Sequence, residues 1–485
     1  MSEPLGTTGL VLNEPLLWER GKRGRSGFSM PAADVPSNPL PAEMAGEGPD
    51  FPDLSEIEVV RHYTRLSTWN FGVDTGLYPL GSCTMKYNPK INEKLAGLPE
   101  FAAAHPLLPS GLSQGALKVM FDLERFLAEI TGLDAVTLQP AAGAQGELTG
   151  MLIIHAFHRD RGRQRTKILI PDTAHGTNPA SAALCGYAPV PVPSGPDGVI
   201  LPETVAALMD EETAGIMITN PNTLGLFETN IREIARIVHD RGGLVYGDGA
   251  NMNAVMGIVR PGEIGVDILH LNLHKTFSTP HGGGGPGAGP VAVRKELARF
   301  LPIPRVVERN GTYELSDNFP ESVGRVMAFH GHFGIMLRAY AYILSMGPDG
   351  LRQASRLAVL NANYIREKLK DVLHPAFDRP CMHECVFSDR NQHETGITTL
   401  EMAKRLMDYG YHPPTIYFPL VVHGAMMIEP TETETKEDLD AFIEAFRSIA
   451  QEAKENPGAL REAPVRCKVK RLDETAAARN PCLTG

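Results

Sequence analysis

Asp267-Ile268-Leu269-His270-Leu271-Asn272-Leu273-His274-Lys275-Thr276 runs on toward Gly282-Gly283-Gly284-Gly285. The first six residues alternate apolar and polar side chains, the period of a half-buried strand. Lys275 then falls just past a strand end, where a flat ligand can lie against its amine. A desolvated lysine amine is the usual covalent handle for an aldehyde cofactor such as pyridoxal phosphate. The glycines behind it permit positive φ and close backbone approach, as a crowded pocket requires. Alone the pattern does not decide, because lysine at a strand end is more often a solvated surface residue.

Two further segments change that reading. Leu244-Val245-Tyr246-Gly247-Asp248-Gly249-Ala250-Asn251 is an apolar strand ending in an acid. The interval from Asp248 to Lys275 has room for a turn and a crossover onto a neighbouring strand. A carboxylate beside the ring nitrogen of a pyridine aldehyde keeps it protonated, since a close opposite charge shifts a pKa by about 1–3 units. The protonated ring is then an electron sink for a carbanion. Asp-Gly is otherwise a common turn. The second segment is Thr137-Leu138-Gln139-Pro140-Ala141-Ala142-Gly143-Ala144-Gln145-Gly146-Glu147, where a short strand (Ala135 to Leu138) leads through small residues into a helical stretch from Glu147 to His158. Free backbone N–H groups and a helix N-terminus then converge on one spot suited to a phosphate, with Ala142, Gly143, Ala144 and Gln145 as its contacts. The Lys and Ser/Thr of a nucleotide P-loop are missing, as is a dinucleotide GxGxxG. Phosphate nest, ring acid and lysine in that order are hard to obtain by accident.

Two loops complete the candidate set. His175 lies in Pro171-Asp172-Thr173-Ala174-His175-Gly176-Thr177-Asn178-Pro179-Ala180-Ser181, after the strand Lys167-Ile168-Leu169-Ile170. Its small and polar neighbours let it lie flat over a pyridine face, and a surface histidine explains it equally. Asn222 and Thr223, in Asn220-Pro221-Asn222-Thr223-Leu224-Gly225, are placed to hydrogen-bond a cofactor's phenolic oxygen, and an Asn-Pro turn accounts for them as well.

Residues 1–110 are rich in Pro and Gly and read as an extended arm and entry loops, with one helix over Ser55 to Leu66. Ser113 caps an amphipathic helix that Gly132 closes. Over residues 111–330 strands alternate with helices, predicting a large α/β domain whose mostly parallel sheet is covered on both faces and binds ligands at its carboxyl ends. Two long helical stretches after Met327, ending near Leu369, lead into a smaller α+β domain over 331–460. Its strands are read at Val386-Phe387, Thr398-Thr399 and Met426-Met427-Ile428, before a helix from Asp438 to Asn456. Residues 461–485 read as a tail.

With 42% hydrophobic and 21% charged residues in 485, the chain has the composition of a globular enzyme. A net charge of −11 argues against nucleic acid as a partner. The basic run Arg20, Lys22, Arg23, Arg25 is short and reads as a solvated arm. No apolar stretch is long enough for a bilayer, and no charged-then-apolar signal follows Met1, so no membrane role is expected. Glu3, Glu14 and Glu19 are out of place in a mitochondrial presequence, which points to a bacterial or archaeal cytoplasm. Cys381-Met382-His383-Glu384-Cys385 lacks the second half of a four-ligand zinc site, so no metal is expected and the thiols are read as reduced.

Together these segments resemble the P-protein, the pyridoxal-phosphate-dependent glycine dehydrogenase (decarboxylating) of the glycine cleavage system. The resemblance is carried by Tyr78-Pro79-Leu80-Gly81-Ser82-Cys83-Thr84-Met85-Lys86, Gly143-Ala144-Gln145-Gly146-Glu147, Ala174-His175-Gly176-Thr177-Asn178-Pro179-Ala180-Ser181, Asp248-Gly249-Ala250-Asn251-Met252-Asn253, Leu271-Asn272-Leu273-His274-Lys275-Thr276-Phe277 with Pro280-His281, and Met427-Ile428-Glu429-Pro430-Thr431-Glu432. Gly324-Arg325-Val326-Met327-Ala328-Phe329-His330-Gly331 with Arg338-Ala339-Tyr340 also fits the split form of the family, whose second subunit is a separate catalytic chain. The resemblance implies the fold-type I pyridoxal-phosphate transferase fold (aspartate aminotransferase-like), with a mostly parallel sheet in the large domain and a smaller C-terminal α+β domain. It implies pyridoxal 5'-phosphate held by Lys275, with Asp248 at the ring nitrogen, His175 beside the ring and His274 near the phosphate. Ser82, Thr84 and His281 are candidates for the mouth of the site, and Arg325 for the glycine carboxylate. The implied reaction decarboxylates glycine and transfers its aminomethyl group to the lipoyl arm of the H-protein. The implied partner is a homologous subunit 1, in an α2β2 heterotetramer. Ala142 departs from the family pattern, where a small polar residue is usual, and one phosphate hydrogen bond goes with it. The competing readings are another enzyme of this fold, an aminotransferase or amino-acid decarboxylase acting on free substrates, and a silent scaffold subunit. A silent subunit is expected to lack the Asp248 and Lys275 pair.

Overall fold

The apolar segments between residues 135 and 293 assemble into one seven-stranded sheet in a computed structural model that describes residues 14–46, 50–282 and 287–482. Gly283, Gly284 and Gly285 of the glycine run, and Glu3, lie outside the described residues. The strands are β1 (Ala135–Thr137), β2 (Lys167–Pro171), β3 (Ala188–Val192), β4 (Thr213–Thr219), β5 (Leu244–Gly249), β6 (Ile268–Leu271) and β7 (Val291–Val293), in the order β1-β7-β6-β5-β4-β2-β3. β2 to β6 pair in parallel, and β7 is antiparallel to β6 and β1.

Side chains alternate between the two faces of a strand. Val245, Leu269 and Leu271 enter one core with Leu123 and Met336, while Leu244, Tyr246 and Ile268 enter the other with Met151 and Ile154. The half-buried character expected of β6 is not what the structure shows: all four of its residues are buried. Both faces are covered, so the polar positions meet protein partners instead of water. Asp267 accepts the Val245 N–H at 2.6 Å, and His270 meets Tyr246. The helix Gly143–Asp160 lies hard against this sheet because Gly146 and Gly150, which face the strands, lack a Cβ. At Gly150 a Cβ would stand 2.2 Å from the Tyr246 ring, and at Gly146 2.9 Å from the His270 Cβ.

The helix read from Ser55 runs Glu56–Ser67, and the amphipathic one runs Gln114–Thr131 with Gly132 at φ 67°. The two long helical stretches form Phe333–Leu369, broken at Gly347 (φ 59°, ψ 179°) before Pro348. The helix read from Glu147 begins earlier, at Gly143, because sheet packing outweighs the poor helix propensity of glycine. The strand expected at Thr398-Thr399 is a helix start. Thr398 caps Thr399–Asp408 through a capping box in which its N–H meets Glu401 at 3.0 Å.

After the hairpin β8 (Arg305–Arg309) and β9 (Thr312–Ser316), a second sheet forms from β10 (His374–Pro375), β11 (Cys385–Ser388), β12 (Thr415–Ile416) and β13 (Ala425–Ile428). Its order is β10-β11-β13-β12, antiparallel throughout. Phe387, Met426, Phe442, Phe446 and Cys381 share its core, and burial pushes the Cys381 thiol up to about 12. By internal contacts the chain divides into two compact units, Met1–Gly72 and Val73–Gly485. Within the first, Glu14 is bound by Arg65, His62 and Arg20, and the Arg65 hydrogen bond, against the pull of burial, holds its carboxyl at about 2. Among the described residues no helix is long and apolar enough to cross a membrane.

Candidate active site

The register of β5 and β6 sets Asp248 beside His270 on the face covered by the helix Gly143–Asp160. Tyr246, two residues earlier, shares that face and lies 2.6 Å from His270 Nδ1. His270 Nε2 stands 3.4 Å from Asp248 Oδ1. Burial lowers the pKa of His270 and raises that of Tyr246, so both are neutral at pH 7. The tyrosine O–H then donates to Nδ1, and Nε2–H faces the carboxylate. Asp248 also accepts the Ala250 N–H at 2.9 Å and the Asn178 amide at 3.4 Å. Burial pushes its pKa upward; His270, the Ala250 N–H, and the charges of Lys275 and His175 outweigh that and hold it below the usual range. Because His270 is neutral, the N–H group and the Lys275 charge matter most. Asp248 is a buried anion.

A second acid stands beside it. The nearest polar atoms of Glu147, Asp248 and His270 all lie within 4.8 Å of one another. Burial first, then the Asp248 charge, pushes Glu147 up to about 7, against hydrogen bonds from Thr177 (2.8 Å) and Ser181 (3.4 Å). Two adjacent carboxylates cannot both ionise cheaply in a dry site. Glu147 therefore carries a proton over much of the neutral range.

Lys275 lies in the short helix Leu273–Thr276, just beyond β6, and its Nζ donates to the Ser82 carbonyl at 2.8 Å. The next residue is fixed from below: Lys86 Nζ donates to the Thr276 carbonyl at 2.8 Å and pairs with Glu432 at 2.6 Å. Burial opposes the Lys86 charge, but Glu432 and Tyr342 more than offset it and raise its pKa. Ser82 reaches Lys275 because Leu80 bridges to Ile428 of β13 and Gly81 packs on Met427, where a Cβ would stand 2.3 Å from the Met427 Cγ. Gly81→Ala is expected to lower stability by about 1–3 kcal/mol, as overpacking does, and to displace Ser82. Urea unfolding together with cofactor affinity measures both; an unchanged affinity would mean that the loop does not hold Lys275.

The helix Gly143–Asp160 has no side-chain cap, and Ala142 before it is extended (φ −161°, ψ 176°). The N–H groups of Gly143 and Ala144 are left for a ligand. Gln145 is committed elsewhere: its Oε1 accepts the Ala141 N–H at 2.7 Å and its Nε2 donates to the Val326 carbonyl at 2.6 Å. His274 sits 5.0 Å ring to ring from His281, and its Nδ1 accepts the Ala288 N–H at 3.3 Å. Burial, then the charges of His281 and Lys275, pushes it down to about 3, so it is neutral. His175 stands at the open side, 6.0 Å edge-on from Phe418, within reach of the charges of Asp248 and Lys275.

Lys275, Asp248 and His175 stand near enough to feel one another's charge, and the helix start at Gly143 packs on Asn272, three residues before Lys275. Asn222 and Thr223 do not offer free side-chain atoms. Asn222 donates to Gly198 (2.8 Å) and Glu228 (2.7 Å) and accepts from Leu224 and Leu226, and Thr223 donates to the Thr173 carbonyl. Arg325 is exposed and paired with Asp317 at 3.0 Å. Sequence reasoning passed over Tyr246, His270, Glu147, Lys86 and Glu432. All lie inside the quoted segments, and His270, a polar residue in a strand buried on both faces, was the available signal. Pyridoxal phosphate fits this donor set: a half-buried amine, a buried anion and an uncapped helix start.

Comparison with known proteins agrees. The glycine cleavage system P-protein family matches residues 32–310, and the glycine dehydrogenase C-terminal domain family matches residues 354–464. The probable glycine dehydrogenase (decarboxylating) subunit 2 of Caldanaerobacter subterraneus subsp. tengcongensis is 58% identical over 474 residues, 96% of this chain and 98% of that one. Its counterpart in Oceanobacillus iheyensis is 55% identical over 477 residues, 97% and 98% of the two chains. The crystal structure of an inhibitor-bound glycine decarboxylase (P-protein) of the glycine cleavage system has a TM-score of 0.72 at 24% identity, over 84% of this chain and 93% of that one. Lactobacillus brevis glutamate decarboxylase gives 0.66 at 14%, over 87% and 96%. These structures show the fold, that of the fold-type I pyridoxal-phosphate enzymes. With one family match over more than half its length and relatives aligned from end to end, the chain belongs to the glycine cleavage system P-protein family.

Proposed function

We propose that this chain decarboxylates glycine as the cofactor-bearing subunit 2 of a two-subunit P-protein. The observation that carries the reading is the convergence of Lys275, the buried anion Asp248 and an uncapped helix start beyond the carboxyl ends of β6, β5 and β1 of one sheet. Pyridoxal 5'-phosphate, when bound, supplies the sink for the electron pair that departing carbon dioxide leaves on Cα. Lys275 would hold it covalently through Nζ and would carry protons to and from the reacting carbon. Asp248 would keep a proton on the ring nitrogen, and Glu147, when protonated, would add no second charge to that spot. The N–H groups of Gly143 and Ala144 would hold the phosphate, with the neutral His274 and His175 as further candidates to line the cofactor.

The aminomethyl group passes to the lipoyl arm of an H-protein, and subunit 1 completes an α2β2 assembly in a bacterial or archaeal cytoplasm. The subunit 2 relatives support this pairing. So does the helix Glu56–Ser67, which leaves Ile57, Val60 and Tyr63 exposed, a face suited to a second chain. Exchange of labelled bicarbonate into glycine, with subunit 1 and lipoylated H-protein added, tests the reading. Exchange that requires the lipoyl carrier supports it; carrier-free turnover with keto acids would make the chain an aminotransferase instead.

A further inference from the structure

Two buried carboxyl groups outside the cofactor's donor set meet behind the loop that holds Lys275. Glu384 precedes β11 and Glu429 follows β13, and these strands pair Cys385 with Ile428, so the two side chains emerge next to each other. Both residues are 0% exposed. Glu384 accepts the Ser82 N–H at 2.8 Å. Glu429 accepts three hydrogen bonds: the Thr84 N–H at 2.9 Å, the Thr84 hydroxyl at 2.6 Å and the Asn253 amide at 3.3 Å. Between these anchors, Ser82 (φ 64°) and Thr84 (φ 49°) are both left-handed, a conformation that non-glycine residues keep only when their surroundings impose it. The same loop turns the Ser82 carbonyl toward Lys275 Nζ at 2.8 Å.

The nearest polar atoms of Glu384, Glu429 and the buried His383 lie within 4.8 Å of one another. Two carboxyls that close in a dry site do not both ionise cheaply, so one keeps its proton. The hydrogen bonds say where it resides. Three donors stabilise the charge on Glu429, whereas Glu384 has one donor, the Ser82 N–H, and its Oε1 has no partner among the described residues to stabilise a charge there. Burial, then the Glu429 charge, pushes Glu384 well up. The other titratable groups facing the pair are consistent. Burial lowers His383 and His281 to the neutral form and raises the Cys83 thiol, which leaves Lys275 as the cation that Glu384 feels.

We propose that Glu384 and Glu429 act as one positioning pair, a neutral Glu384 and an ionised Glu429, which clamps the Ser82–Thr84 loop, aims the Lys275 amine and supplies its counter-charge. The proposal rests on Lys275 being the cofactor lysine. To carry protons, the Lys275 amine must stay in place, and a single buried negative charge close by would favour both its position and its charge.

The test is borohydride trapping of pyridoxal phosphate on the full chain across pH, with the modified lysine located by mass spectrometry, alongside exchange kinetics with subunit 1 and H-protein. Glu429→Gln is expected to lower the trapping midpoint of Lys275 by about 1–3 units, because removing an opposite charge favours the neutral, reactive amine. Its kcat should fall about 10- to 100-fold with little change in KM, as loss of charge-assisted hydrogen bonds implies. Glu384→Gln keeps a neutral acceptor for Ser82, so its midpoint should stay close to that of the parent and its kcat should fall only about threefold. Infrared difference spectra should show that Glu384→Gln removes one protonated carboxylic acid present in the parent at neutral pH, a readout that survives even where Glu429→Gln does not fold. Equal midpoint shifts in the two variants, no shift in Glu429→Gln, or no lost acid band would overturn the pair. If the parent itself is not trapped at Lys275, the functional reading fails; trapping at Lys275 with indifferent variants sinks only the pair.

Discussion

Lys275→Ala is expected to abolish the visible absorbance of the bound cofactor and to lower glycine–bicarbonate exchange by about 10³-fold or more, since one side chain is both covalent anchor and proton carrier. No rescue is expected from Lys86. Its amine lies against the adjacent Thr276 carbonyl, but a 2.6 Å contact with Glu432 keeps it charged and fixed. Lys275→Arg should behave like the alanine variant, because guanidinium keeps the charge and loses the nucleophile. Absorbance spectra and exchange assays on the three proteins decide the matter, and full exchange in Lys275→Ala would remove this residue from the chemistry.

Asp248→Asn is expected to leave the cofactor on Lys275 and yet lower exchange by about 10²-fold or more, the effect of losing about 1–3 pKa units of support at the ring nitrogen. The amide can still accept from Ala250 and face His270, so the fold should persist. The pH dependence follows from the shifts. Asp248 is held below its usual range, so it is ionised throughout the neutral region, and its stabilising effect is fully present above the ordinary carboxyl value of about 3.9 and is lost only as pH falls through the lowered one. Glu147 is up at about 7 partly because of the Asp248 charge. In Asp248→Asn that repulsion disappears and Glu147 ionises at lower pH, returning some negative charge to the same corner. Residual activity of Asp248→Asn should therefore rise with pH, and adding Glu147→Gln should flatten the rise. A flat profile in the single variant would separate Glu147 from the ring acid.

Much of this site could be read from the order of residues along the chain. A phosphate-suited turn at Ala142 to Gln145, an acid at Asp248 and a lysine at Lys275, each ending or following an apolar run, were visible because strand period and small-residue turns are local properties. The parallel α/β layer, the two long helical stretches after Met327 and the stop at Gly132 were equally local. Thr398-Thr399 misled because β-branched residues serve strands and helix caps alike, and only Glu401 three positions on tells them apart. Asn222 and Thr223 sit in the segment that suggested them, yet their hydrogen bonds are taken by Gly198, Glu228 and Thr173.

What only the tertiary structure settled is which polar groups share a dry space. His270 meets Asp248 through strand register, Glu147 joins them because Gly146 and Gly150 let its helix settle onto the sheet, and Glu384 and Glu429 reach the Ser82 loop through the second sheet. Sequence specifies the period and chirality of each element. Proton positions depend on distance and dielectric between groups hundreds of residues apart, and those come into being only when the two sheets close around Lys275.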